Sequence, residues 1–335
     1  MSTPAYDERQ AAMNASASAQ DAPNVSKAVA ADPTLVRPTA RAVPGTRTRT
    51  SRRRRFRLTG LDVLAIVFMI GLLAFAVIPM AWMFSTSLKS QFAAIQSPPR
   101  WIPAEPTLVA YQSLLSPDST TGGRFIRFFG NSVLVSTTTT VIGLLVAIPA
   151  AYAFSRFRFP GRNLLFFAVL VRNMFPVVVF LIPLFLLMKQ FNLINTYWSL
   201  ILTYLTFGLP LSIWLLKGFY DNIPPELERA ARIDGATRFQ AFWKIVMPLS
   251  ASGIIATGIF TFIGAWNEYV YAATFLNNDK LKTLQPGLQK FFGEFSNNWP
   301  GLMAAQFVSS VPIVVLFLVL QKYFVRALAE GATKA

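Results

Sequence analysis

The 335-residue sequence is 53% hydrophobic and only 14% charged, against about a quarter charged in an ordinary soluble domain. It has no cysteine and no histidine, which excludes disulfide frameworks, thiol nucleophiles, histidine general bases and His- or Cys-ligated metal sites. The net charge of +16 is uneven: residues 1–60 hold eleven Lys/Arg against four Asp/Glu.

Residues 1–59 are mostly Ala, Ser, Pro, Thr and Arg, with Tyr6 and Phe56 the only aromatics. Such a segment has too little apolar surface to offset the entropy of ordering, so a disordered cytoplasmic extension is expected. It closes on Arg47, Arg49, Arg52, Arg53, Arg54, Arg55 and Arg57. A run of this kind can bind nucleic acid or anionic lipid. Placed directly before an uncharged apolar stretch, it reads instead as the anchor that orients a first membrane span. Membrane lipid is therefore an expected partner and nucleic acid is not.

Six apolar stretches follow, at about 63–88, 131–155, 163–188, 197–216, 249–268 and 301–321. Each approaches the roughly 20 residues that cross a bilayer. The predicted fold class is an all-α membrane protein with six transmembrane helices over residues 60–335. Pro79, Pro149, Pro176, Pro183, Pro210 and Pro312 fall inside the spans, and suit packed, kinked helices whose freed carbonyls find other partners. Counted from residue 41, the first, third, fifth and seventh non-spanning segments carry nineteen Lys/Arg against eight in the other set. That asymmetry puts both termini in the cytoplasm. The outer loop 90–124, with Pro98, Pro99, Trp101, Pro103 and Pro106, suits a short structure rather than a domain.

Between the fourth and fifth spans the loop 221–248 has helix chemistry of its own. Pro224 and Pro225 suit a helix start, with Glu226 and Glu228 in the first turn where the dipole favours acids. Gly235 ends that helix, and Thr237 caps a second. Phe239, Phe242, Trp243 and Val246 follow helical spacing and are expected to pack on the membrane bundle. The small pair Ala230–Ala231 lets another surface approach closely. Two readings stand together: a helix-turn-helix that docks in a partner's groove, or a connector that caps the bundle.

The segment Glu228-Arg229-Ala230-Ala231-Arg232-Ile233-Asp234-Gly235-Ala236, with Phe239, Phe242 and Pro248 after it, resembles the EAA loop of ABC-importer permeases. Ala151 to Gly161 (AYAFSRFRFPG), Leu193 to Tyr197, Trp266-Asn267-Glu268-Tyr269 and the ending from Gln321 to Lys334 are similar to the maltose-type (MalG-like) carbohydrate branch. The resemblance implies a permease subunit of an ATP-driven sugar importer that works by alternating access. Its partners would be a second homologous permease, ABC ATPase subunits and an extracytoplasmic solute-binding protein, in the inner membrane of a prokaryote. It also implies that Glu228, Arg229, Ala230, Ala231, Asp234, Gly235 and Ala236 couple the chain to the ATPase. One departure is plain: the acid that usually precedes the Ala-Ala pair is Arg229 here.

None of the ten lysines follows a glycine, so the chain lacks a P-loop. ATP and magnesium are expected on the partner, with no cofactor in this chain and no enzymatic step of its own. Arg172, about nine residues into the third stretch, is costly in a membrane unless it faces a cavity or partner. It either lines a sugar path or makes an interhelical contact. Asn267 and Glu268 beside Trp266 form an aromatic-polar cluster that suits sugar hydroxyls, or else an interfacial belt. The run from Ser136 to Thr140 suits helix packing. Two other classes compete with this one. A secondary transporter would show internal repeats and intramembrane acids, and a membrane enzyme would use the missing His and Cys. Within the ABC class, permeases for another solute share the loop.

Overall fold

The computed structural model describes residues 60–118, 120–291 and 298–332, so the N-terminal extension expected over 1–59 lies outside them. Among the described residues every regular element is helical. The first span is α1 (Gly60–Ser87), 28 residues with Pro79 inside. Leu64, Phe68 and Phe75 on it are exposed, as befits a helix whose solvent is lipid. Just past its end Lys89 is buried, donates to the Arg100 carbonyl at 2.7 Å and lies 4.1 Å from the Trp82 ring centroid. Trp82 in turn meets Trp101 edge-on at 4.8 Å. These contacts, with a short helix α2 (Val109–Leu115), give the loop 90–124 its small structure.

The second span is α3 (Thr120–Arg156), 37 residues with Pro149 inside. It begins well before residue 131, because polar and basic residues such as Arg124 and Arg127 continue the helix beyond the apolar stretch. The third stretch differs from expectation more sharply. It is not one helix over 163–188 but α4 (Arg162–Val171), two 3₁₀ turns (Arg172–Met174 and Val177–Phe180) and α5 (Leu181–Gln190), with its two halves bent by 100°. Pro176 supplies no N–H and forces Phe175 into an extended conformation (φ −88°, ψ 135°), which ends helical geometry there.

The fourth span, α6 (Tyr197–Asn222), runs past residue 216 and is the most buried of the four long unbroken helices. The loop region holds α7 (Pro225–Ile233) and α8 (Arg238–Ala241). The fifth span is α9 (Ala251–Trp266), 16 residues long, and the segment before it turns through 72°. After α10 (Val270–Phe275) and α11 (Leu284–Leu288), α12 (Trp299–Ala332) forms the sixth span. At 34 residues it is longer than the 301–321 expected.

The packing fixes the direction of each helix. Val135 of α3 shares a cluster with Leu200, Ile201 and Tyr204 of α6, while Ala147 and Ala151 share another with Ile213, Leu216 and Tyr220. Thus α3 and α6 run parallel, and the bent segment between them must carry the chain back across. Trp266, at the end of α9, packs with Phe125 and Phe128 near the start of α3 and with Ala304 and Ala305 of α12, so α9 is antiparallel to α3. Helix α9 approaches its neighbours through buried Ser252, Gly253, Ala256, Thr257 and Gly258, small residues of the kind that let membrane helices close up. A Cβ at Gly253 would lie 2.3 Å from the Phe219 ring.

Candidate functional site

The loop helix α7 is shaped by its own sequence. Pro225 occupies its first turn, where a missing N–H is harmless. At the other end Gly235 has φ 91°; its N–H reaches the Arg232 carbonyl at 3.2 Å, and the Ala236 N–H reaches the Ala231 carbonyl at 2.9 Å. These two bonds close the helix as a Schellman motif, which requires a left-handed residue. Two residues later Thr237 Oγ1 accepts from the Gln240 N–H at 3.2 Å, while Gln240 Oε1 accepts from the Thr237 N–H at 2.8 Å. This capping box starts α8, in agreement with the cap read from the sequence.

From α8 the chain passes through a π-helical turn, Phe242–Val246. Phe242 and Val246 are buried against Ala151, Phe154, Leu216 and Tyr220, so the loop sits on the ends of α3 and α6. The expectation that Phe239 and Trp243 pack there too is corrected: they are 71% and 50% exposed. The wider π turn shifts the helical phase, leaving only one pair of the apolar stripe facing the bundle.

The polar seat of α7 is more specific. Arg156 Nε donates to Glu228 Oε1 at 2.6 Å, and the Tyr152 hydroxyl donates to Oε2 at 2.7 Å. Arg156 Nη2 also donates to the Ile223 carbonyl at 2.7 Å, and Ser155 Oγ donates to Asp221 Oδ1 at 2.6 Å. The Tyr152 ring lies 4.6 Å from that of Phe242. Both side chains of the Arg156–Glu228 pair are 12% exposed, a setting in which charge-assisted bonds are strong and broken pairs costly. The end of α3 and the loop helix are therefore bolted together.

Of the seven residues singled out in the loop, Glu228 faces inward to this seat. Arg229, Ala230, Asp234 and Gly235 are exposed, and Ala231 and Ala236 are half-buried. Sequence reasoning missed Tyr152 and Arg156 as partners of Glu228. Their only signal was that they fall in the connection already noted for its resemblance to sugar permeases.

A second feature lies within the bundle: a cavity of about 260 Å³, mostly apolar, whose lining includes Thr139, Tyr204, Phe207, Thr261, Glu268 and Tyr271. Glu268 accepts from the Tyr204 hydroxyl at 2.7 Å and from the Tyr271 and Ala272 N–H groups at 2.9 and 3.1 Å. It thereby caps the start of α10 and ties it to α6. Asn267 ends α9 and is exposed; it does not line this cavity. Nor does Arg172, which sits at the break of the third segment. Its guanidinium carbon is 3.5 Å from the ring centroid of Phe207, and Nη1 donates to Asn173 Oδ1 at 3.0 Å. Arg172 is thus one aromatic ring removed from the cavity and held by a cation–π contact. Of the three residues proposed for a path, only Glu268 reaches the space.

The fold and the loop define a membrane-embedded permease of the ABC-importer class. The family described as binding-protein-dependent transport system inner membrane component matches residues 122–330, and the chain belongs to that family. It is therefore the transmembrane, non-catalytic subunit of its transporter, with ATP hydrolysis on a separate subunit. The sulfoquinovosyl glycerol transport system permease protein SmoH of Agrobacterium fabrum is 36% identical over 263 residues, 78% of this chain and 90% of that protein. The trehalose transport system permease protein SugB of Mycobacterium tuberculosis is 36% identical over 262 residues, 78% of this chain and 93% of its own. Among solved structures, a bacterial ABC transporter involved in import of the acidic polysaccharide alginate superposes with a TM-score of 0.67 at 24% identity. That match covers 79% of this chain and 96% of the other, and it shows a shared fold.

Proposed function

We propose that this chain is one of two homologous permease subunits of an importer for a sugar or oligosaccharide in the cytoplasmic membrane of a prokaryote. An extracytoplasmic binding protein delivers the cargo, and ATP with magnesium is bound by the ATPase subunits. The Lys/Arg asymmetry supports placing both termini and the loop 224–248 in the cytoplasm. The relatives named for sulfoquinovosyl glycerol and trehalose support the choice of substrate class.

The observation that carries the mechanism is the seat of α7. A lever transmits force only if it is rigid and fastened. Here Glu228 is held by Arg156 and Tyr152 at the end of α3, and Phe242 and Val246 are buried against α3 and α6. Closure of the ATPase subunits would push on α7, and the push would reach both helices. Since α6 contributes Tyr204 and Phe207 to the cavity, and α3 contributes Thr139, moving these helices alters the space inside the bundle. The two helix arrangements then correspond to inward and outward access. Glu268 and the aromatic rings around it offer a wall suited to sugar, with Arg172 supporting that wall from behind Phe207.

The test is reconstitution of the whole complex in liposomes with its binding protein, measuring ATPase stimulation and uptake across a panel of sugars, amino acids and peptides. Stimulation by one or a few sugars alone is expected. Stimulation by an amino acid or peptide instead would move the assignment to another solute class.

A further inference from the structure

The outward face of the loop is basic, and the reason lies in the seat beneath it. Glu228 is consumed by Arg156 and Tyr152, so it neutralises nothing on the exposed side. A pocket of about 180 Å³ opens between α7, α8 and the connection after α3, lined in part by Arg156, Glu228, Arg229, Arg232 and Arg238. Arg156 is matched by Glu228. Arg229 has only Glu226 at 3.5 Å, with both side chains more than two-thirds exposed, a geometry that holds little charge in place. Arg238 lies 5.8 Å from the Phe157 ring. No acidic side chain pairs with Arg232 or Arg238 among the described residues. Next to these cations Ile233 is 86% and Phe239 71% exposed.

Arginines beside exposed aliphatic and aromatic side chains are the composition of a protein-docking centre. An interfacial membrane helix shares that composition, but here the three arginines line one concave pocket, a shape that fits a single side chain better than a flat bilayer surface. We infer that the Arg229–Arg232–Arg238 pocket receives a carboxylate side chain of the ATPase subunit, while Ile233 and Phe239 fill an apolar part of the same cleft. This inference rests on the coupling role proposed above and adds the chemistry of the partner: an acidic cleft facing a basic lever. Two or three guanidinium groups converging on one carboxylate give directional, charge-assisted bonds. They also steer the encounter, an effect that salt weakens beyond a screening length of about 8 Å at physiological strength.

The experiment uses the complete permease pair and the purified ATPase subunit of the same transporter, in neutral and in anionic-lipid nanodiscs. Because the chain has no cysteine, Ile233→Cys against single cysteines in the ATPase cleft reports docking itself by crosslinking. Arg229→Glu combined with Arg232→Glu then tests the charge. The expected result is that the crosslink forms in the parent and that reversal weakens ATPase binding by at least about tenfold in either lipid. One Asp→Lys or Glu→Lys change in the ATPase should restore it. A crosslink with unchanged affinity after reversal overturns the acidic cleft and leaves the docking intact. A defect that no ATPase substitution restores, or that appears only in anionic lipid, also overturns it, the latter in favour of a headgroup site. Absence of any crosslink to the ATPase removes both the docking and the inference.

Discussion

Arg156 and Glu228 stand 72 residues apart in the chain and 2.6 Å apart in space, Nε to Oε1. The pair joins the end of one membrane helix to the loop helix that faces the ATPase in the proposed mechanism. Removing one partner of a buried pair costs up to about 3–5 kcal/mol, and the lower end applies because both side chains keep 12% exposure. Arg156→Met and Glu228→Gln should each lower sugar-driven uptake more than ATPase activity. The exchange Arg156→Glu with Glu228→Arg should recover part of the loss. Comparing uptake per ATP hydrolysed in all four proteins checks this; equal ratios would show that the pair does not transmit motion.

Gly235 has φ 91° with open space around it, so the cost of replacing it is conformational rather than steric. A β-branched residue in the left-handed region is disfavoured by about 1–2 kcal/mol, whereas Asn tolerates it better. Gly235→Val should insert normally in the membrane yet lose coupled uptake, and Gly235→Asn should retain most of it. Vesicle uptake after equalising membrane content measures the difference.

Gly253 faces the Phe219 ring at a distance that leaves no room for a methyl group. Gly253→Val should destabilise the bundle by about 1–3 kcal/mol through overpacking, seen as a lower thermal midpoint in detergent. Phe219→Leu in the same protein should restore part of it. An unchanged midpoint in the single variant would contradict the close approach of α6 and α9.

Glu268 accepts three hydrogen bonds from α6 and α10. Glu268→Ala leaves buried donors without an acceptor, at about 1–3 kcal/mol, and should lower both stability and the maximal uptake rate. Tyr204→Phe should do the same more mildly. If Glu268 acted chiefly by touching sugar, Glu268→Gln would raise the uptake KM without affecting the thermal midpoint, and that split is the measurement to make.

Burial pushes the Lys89 ammonium below its ordinary 10.5. Between the lowered value and 10.5 the unfolded chain binds more protons than the folded one, so stability should rise with pH in that window. Lys89→Met should remove the rise while keeping side-chain bulk over Trp82. Thermal midpoints of the two proteins on the alkaline side settle the sign.

The parts of this architecture written in local chemistry were legible in advance. Pro225, Gly235 and Thr237 act on backbone within a few residues, and apolar length marks the long helices without marking their ends. The bend in the third segment was not legible: Pro176 marked a kink, but its 100° size depends on packing around Phe207 and Tyr271. Tyr271, for instance, donates to the Val177 carbonyl at 2.8 Å. Phe239 and Trp243 were misplaced because a π turn is invisible to a 3.6-residue stripe. The inward seat of Glu228 was not legible either, because its two partners lie more than seventy positions upstream.

That distance constrains how such a subunit can be rebuilt, by evolution or by design. The elbow from Pro224 to Gln240 sets its own bend, through Gly235 after the end of α7 and the Thr237–Gln240 box at the start of α8, so it is expected to keep its shape when moved into another permease. Its fastening does not travel with it. A chimera that imports the elbow alone inherits a well-formed handle on a loose hinge, and only a graft that also brings Tyr152 and Arg156 inherits a working one.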